Sequence, residues 1–256
     1  MCFCTPVSIF MEERLQKILA QVGVGSRREC EKLIVQGCVI VNGKPVTELG
    51  TKVDPRMAAI KVNGKRIDFP VTQKTCQYLV LFKPKGYLTT MKPDEEDRPT
   101  ILELLPARVK RRVYPVGRLD FNSEGLVLLT DDGDLAYRMT HPKFKFPKTY
   151  EAKVHGIPSV QVLRRLADGI VLEDGKTQPA TVKVLKVTGQ NAWLRFTITE
   201  GKKRQIRRMC EAVGLLVSKL KRTAIGPITI KGLERGHVRF LAPEEIRKLK
   251  KAVNRE

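Results

Sequence analysis

The apolar positions of this chain follow two different periods, and the change between them divides it in two. Leu15, Ile18, Leu19 and Val22 recur at helical spacing, and Gly23 supplies a stop. Ser26 followed by Glu29 is a capping-box pattern, which predicts a second helix from Arg27. Cys30, Leu33 and Ile34 give that helix an apolar stripe and Gly37 ends it. Residues 38–41 are rich in β-formers, and Asn42-Gly43 is a tight-turn signal. Ile60 to Val62 and the turn Asn63-Gly64 close a small module over residues 11–68. Phe69-Pro70 to Thr75 reads as a linker.

From residue 76 to about 250 the pattern predicts a larger domain of strands and short helices. Tyr78 to Phe82, Gly125 to Leu129 and Tyr150 to Val154 are strand-like runs. Ala192, Leu194, Phe196 and Ile198 alternate with Trp193, Arg195, Thr197 and Thr199, the signature of a half-buried strand. Helices are expected over Ile101 to Leu105, from about Gly133, and from Pro158-Ser159 to Asp168-Gly169. Between Glu200 and Gly214, Ile206, Met209, Cys210 and Val213 share one helical face, and Arg204, Arg207, Arg208 and Glu211 the other. The tail from Glu244 reads as a basic amphipathic helix or a frayed end.

Charge changes the picture more than size does. The 256 residues hold 48 Lys and Arg against 27 Asp and Glu, a formal net charge of +21. Such an excess points to an anionic partner, and a polyphosphate backbone is the commonest one. A membrane surface would need a basic amphipathic helix with bulky apolar residues opposite, and the sequence offers none that fits. No apolar run reaches membrane length. Cys2, Cys4, Cys30, Cys38, Cys76 and Cys210 form no CxxC pair, and no histidine stands at finger spacing, so zinc is not expected. Reduced thiols in a cytoplasmic protein are the simpler account. Residues 1–10 look unlike the rest, lack a signal-peptide pattern, and suggest either a start at Met11 or a disordered end.

The candidate chemistry centres on VGRLDFNSEGLVLLTDDGDL, Val116 to Leu135. Asp120 lies between an arginine and an Asn-Ser turn, where a carboxylate serves as nucleophile, metal ligand or loop cap. In the first module, Arg27, Arg28 and Lys32 lie off the apolar stripe, and Ser-Arg-Arg at a helix start offers free N–H groups beside guanidinium forks, a phosphate site. Arg108, Lys110, Arg111 and Arg112 make a basic stretch that is an RNA contact or a plain loop.

GRLD at 117–120, KPKG at 83–86, RQIR at 204–207 and the segment from Gly232 to Phe240 together resemble pseudouridine synthases of the RsuA and RluB type, closest to RluB-like enzymes. The likeness runs from about Glu12 to about Glu245. The first module resembles the RNA-binding module named after ribosomal small-subunit protein four. The resemblance implies an α+β fold: the RNA-binding module, then a catalytic domain with a mixed, mostly antiparallel sheet and a cleft across its middle. It implies Asp120 as nucleophile, held ionised in a partly dry cleft by pairing with Arg207. Tyr150 would stack on the extruded base and assist proton removal, and Leu220 would pack under the site. Arg118 would help extrude the nucleotide. Lys202, Lys203, Arg204 and Arg208 would join Arg27, Arg28 and Lys32 in holding RNA. The implied reaction is isomerisation of a specific uridine in ribosomal RNA, first choice the large-subunit RNA, by a cytoplasmic monomer with no metal, cofactor or membrane partner. The small-subunit RNA, an assembly intermediate as substrate, and a non-catalytic assembly factor are the alternatives. A methyltransferase would need a Gly-rich donor loop that the sequence lacks.

Overall fold

The computed structural model describes residues 12–68, 76–107, 109 and 113–254. The expectations for residues 1–11, for the linker at 69–75, and for Arg108 and Lys110–Arg112 lie outside the described residues. The chain divides into two compact units, Met1–Thr75 and Cys76–Glu256.

In the first unit, α1 (Leu15–Gln21) and α2 (Arg27–Val35) pack on a small four-stranded sheet of β1 (Val39–Val41), β2 (Ile60–Val62), β3 (Lys65–Ile67) and the two-residue edge Lys44–Pro45. The predicted capping box is present: the Ser26 hydroxyl accepts from the Glu29 amide at 3.2 Å, and the Ser26 amide donates to the Glu29 carboxylate. Leu15, Ile18, Leu19, Cys30, Ile34, Val39 and Ile60 form a closed apolar core. The left-handed backbone of Asn42 and Gly43 makes the tight turn after β1.

The second unit is built on one large sheet. Seven of its nine strands form the main path: β4 (Tyr78–Lys83), β5 (Glu124–Thr130), β6 (Lys148–His155), β7 (Thr181–Thr188), β8 (Asn191–Ile198), β9 (Leu216–Ile225) and β10 (Val238–Phe240). The spatial order is β7-β8-β6-β9-β5-β4-β10. Every pairing along this path is antiparallel except β9 with β5, which run parallel at Lys221–Glu124 and Arg222–Gly125. The mixed, mostly antiparallel sheet inferred from resemblance is therefore present, and its one parallel junction lies near the middle.

Side-chain alternation gives the sheet two distinct faces. Leu79, Leu81, Val127, Leu129, Ala152, Leu194 and Phe196 point to one face, beneath α4 (Val160–Asp168) and α5 (Gln205–Glu211). Tyr78, Val80, Leu126 and Leu128 point to the other, beneath α3 (Gly133–Thr140) and α6 (Pro243–Val253). Ser159 caps α4 by accepting from the Val162 amide, and Gly169 ends it at φ +94°.

Two elements differ from the sequence expectation. The Ile101 helix is a single 3-10 turn, Ile101–Leu104. The basic helix α5 is shorter than predicted: Arg204 is its N-cap at φ +50°, outside the helical face assigned to it. For the tail, the amphipathic helix is the alternative that is found, with Leu249 and Val253 buried.

Candidate active site

The loop carrying Asp120 enters from Gly117, whose φ of +76° turns the backbone, and leaves into β5 at the parallel junction. Its backbone is held almost residue by residue. The Thr89 hydroxyl both donates to the Leu119 carbonyl (2.8 Å) and accepts from the Leu119 amide (3.2 Å). The Gly86 amide donates to the Phe121 carbonyl at 2.9 Å. Arg207 Nη2 donates to the Asn122 carbonyl at 3.2 Å. Lys83 Nζ donates to the carbonyls of Ser123 and Pro84, each at 2.9 Å. The Asp120 carbonyl itself accepts from the Ser123 amide at 3.0 Å. With the backbone so committed, the Asp120 side chain is left exposed.

Leu119 anchors this loop in the same apolar core that holds Tyr150, Leu220, Ile206 and Met209. Tyr150, on β6, is buried between Phe196 of β8 and Arg222 of β9. Leu220 is buried one row along the same face, opposite Ala152. The fold thus gathers Asp120, Arg207, Tyr150 and Leu220 around one junction.

The electrostatics depart from the simple pairing expected for Asp120. Arg207 donates to the Val217 carbonyl at 3.0 Å as well as to Asn122, so its guanidinium grips backbone, not the carboxylate. Burial pulls the Arg207 value down, as does neighbouring Arg204, while the charge of Asp120 acts on it in the opposite sense. Asp120 therefore feels Arg207 through space. Because the carboxylate is exposed, the desolvation that would call for a contact ion pair does not arise in the free protein.

Two further cations belong to the site, and sequence reasoning overlooked both. Lys83 is wholly buried at the end of β4, on the Leu79–Leu81 face. Burial pushes its ammonium down to about 8, against the opposing pull of Asp120. Arg222 is 2 % exposed. Its Nε donates to the Leu126 carbonyl at 2.7 Å and its Nη1 to the Tyr150 hydroxyl at 3.4 Å, while Nη2 is buried without a hydrogen-bond partner. In the sequence Lys83 stands out only as part of KPKG, and Arg222 belongs to no motif. For Lys83 the parity with Leu79 and Leu81 was the available signal, whereas Arg222 lies in a strand whose period is broken.

The candidate RNA-holding residues divide into free and committed groups. Arg118, Lys203 and Arg204 are exposed. Arg208 forms a bidentate pair with Asp174 (3.0 and 2.9 Å). Lys202 Nζ donates to the carbonyls of Asp174 and Gly175 at 2.7 Å. Lys202 fastens the loop before α5, and Arg208 the helix itself, to the Asp174–Gly175 turn, so they act as struts in the free protein. In the first unit Arg27, Arg28 and Lys32 are all exposed, and Arg28 and Lys32 line a shallow groove with Val35 and Leu49.

Known proteins resemble this chain over most of its length. The sequence model for RNA pseudouridylate synthase matches residues 77–212, and that for the S4 domain matches residues 13–58. The ribosomal large subunit pseudouridine synthase B of Bacillus subtilis is 44% identical over 240 residues, covering 93% of this chain and 96% of its own. The protein of that name from Yersinia pestis is 42% identical over 88% of this chain and 71% of its own. A crystal structure of a pseudouridylate synthase superposes with a TM-score of 0.66 at 31% identity, over 92% of this chain and 99% of that one.

Proposed function

Because the chain belongs to the RNA pseudouridine synthases and carries an S4 domain ahead of the catalytic unit, we propose that it isomerises a specific uridine of large-subunit ribosomal RNA in the cytoplasm, as a monomer, with Asp120 as the nucleophile. The observation that carries the site assignment is the clamped loop. Residues 119, 121, 122 and 123 are each tied by hydrogen bonds from elsewhere, and the carboxylate between them stays free. A nucleophile held in place by its own backbone loses little freedom on reaching the reactive geometry.

The chemistry requires breaking the bond between N1 and the anomeric carbon, turning the base, and joining C5 to the same carbon with loss of the C5 proton. Nothing is oxidised, and one carboxylate suffices, either by attacking the anomeric carbon or by removing the neighbouring sugar proton. Docked RNA would cover Asp120 and strip its water, and the charges of Arg207 and Lys83 would then hold it ionised. Tyr150 would meet the base, and Leu220 would support the ring from below. Arg118, exposed beside Asp120, would occupy the space left by the extruded nucleotide. Arg27, Arg28 and Lys32 would hold RNA through phosphates, with Lys203 and Arg204 doing so beside the site. Lys202 and Arg208 would contribute charge only if their Asp174 contacts exchange for phosphate.

The support for large-subunit RNA is the name borne by the Bacillus and Yersinia relatives. The test is to incubate the protein with unmodified large- and small-subunit transcripts, free and in assembly intermediates. Carbodiimide-dependent stops of reverse transcription then locate the new pseudouridine. A single stop in the large-subunit RNA is expected, and a stop confined to the small-subunit RNA would overturn the substrate assignment.

A further inference from the structure

The sheet face opposite Tyr150 is bare over four adjacent strands, and its register lines up charges across them. One row reads Lys183 on β7, Arg195 on β8, Glu151 on β6 and Lys221 on β9. The next exposed row reads Lys186, Trp193, Lys153 and Lys219 on the same strands. The intervening row, Val184, Leu194, Ala152 and Leu220, points to the other face. Strand spacing makes each row about 14 Å across, with about 7 Å between the two rows.

The two rows hold six cations and one carboxylate. Glu151 satisfies Arg195 at 3.2 Å and Lys221 at 3.9 Å. Lys153, Lys183 and Lys219 have no ion-pair partner among the described residues. Trp193, the only tryptophan of the chain, lies half-buried among them, with Lys186 Nζ 5.7 Å from its ring centroid. Trp193, Lys186, Arg195, Glu151 and Lys221 line a concavity of about 410 Å³. An ordinary solvated sheet face would mix signs and put β-branched polar residues there. Here an aromatic ring is set among uncompensated cations in a hollow, the pairing that single-stranded nucleic acid requires: charges for phosphates and a π-face for bases.

We propose that this face binds a single-stranded stretch of RNA, with a base stacked on Trp193 and the phosphates held by Lys153, Lys183 and Lys219. It is a second RNA surface, on the side of the sheet away from Asp120. It rests on RNA being the substrate, and it extends the footprint of the catalytic unit to a strand that flanks the modified segment.

The single tryptophan makes the face its own reporter. A single-stranded RNA of about 12 nucleotides is titrated into the whole protein while Trp193 emission is followed. Saturable quenching is expected, equal in native protein and Asp120→Asn. The double variant Lys153→Glu/Lys219→Glu should weaken it about tenfold or more. Lys183→Glu, at the edge strand, should weaken it in the same direction and guards against a folding defect in the double variant. Absent quenching, quenching undiminished in both charge reversals, or equal quenching by polyglutamate would overturn the proposal, the last by showing an acid-binding face with no preference for bases. Tritium release by the same preparation separates the two ideas. Release without quenching refutes this face alone, and the loss of both refutes it together with its premise.

Discussion

Replacing Lys83 with methionine should leave the protein folded at neutral pH and slow its reaction severely. The side chain is wholly buried, and methionine fills nearly the same volume without the charged head. Below pH 8 the ammonium is charged in both folded and unfolded states. The gap between its ordinary 10.5 and about 8 in the fold corresponds to about 3 kcal/mol of burial cost. Methionine removes that cost but strands the Ser123 and Pro84 carbonyls, at roughly 1–3 kcal/mol each. The two effects nearly offset, so urea unfolding at about pH 7 should change little. The difference should then grow with pH. The folded value is depressed, so between 8 and 10.5 the unfolded chain holds a proton that the native chain has released, and native stability rises relative to the variant by up to about 3 kcal/mol. Lys148, Cys210 and Tyr78 titrate in both proteins and cancel from the comparison. The turnover rate should fall about 100-fold, because the loop loses its tie at Ser123 and a displacement of about 1 Å at a nucleophile has that effect. A stability difference that stays flat from about pH 7 to about pH 10, or an unchanged turnover rate, would refute this account of Lys83.

Gly125→Ala should be among the most damaging substitutions in the chain. Its φ is +123°, and an added Cβ would overlap the backbone of Arg222 across the parallel junction, where no side-chain rotation can relieve it. A loss of more than about 3 kcal/mol is expected, read as collapse of soluble yield and of the melting temperature; a melting temperature near that of the native protein would contradict the close packing described. Glu245→Gln should remove stability only where the carboxylate is ionised. Glu245 accepts two bonds from Arg239 and one from the Ala242 amide at the start of α6, and these hold its value below the ordinary 4.5. The native advantage should be present above pH 4.5 and vanish as pH falls through the folded value, and an advantage that persists in acid would show the contact to be merely steric. Cys210 should resist thiol reagents in the native state, since it is wholly buried and burial pushes its thiol up to about 12. Its modification by a disulfide reagent should track unfolding, and rapid labelling of the folded protein would count against the packing of α5.

How much of this was legible in the sequence depended on whether a period survived intact. The Ser26–Glu29 capping box and the Ala192–Ile198 alternation use uninterrupted periods, and both are found where the pattern puts them. Strand β9 was unreadable because its period breaks twice. Register shifts opposite Thr149/Tyr150 and Lys153/Val154 bury Val217, Leu220, Arg222 and Ile225, a spacing that matches neither helix nor strand. Strand β7 has the same defect, a shift between Val184 and Lys186, and three exposed apolar residues. The Asp120 loop was recognisable by its GRLD motif, but its clamps were not. Thr89, Gly86 and Lys83 reach it across 30 to 40 residues of chain, and only the pairing of β4 with β5 brings them there. The grip of Arg207 on the backbone was hidden for a related reason: a guanidinium near a carboxylate in sequence logic reads as a contact ion pair, whereas the fold gives it two carbonyls and leaves Asp120 to act on it through space.

The central claim is that Asp120 carries the chemistry of uridine isomerisation. The direct measurement is tritium release from ribosomal RNA transcribed with uridine labelled at carbon five, comparing the native protein with Asp120→Asn. The asparagine keeps the loop, whose ties run through backbone atoms, and removes the nucleophile. Release by the native protein and none by the variant, at equal RNA affinity, is the predicted result; equal release by both would contradict the claim and move the chemistry to another residue.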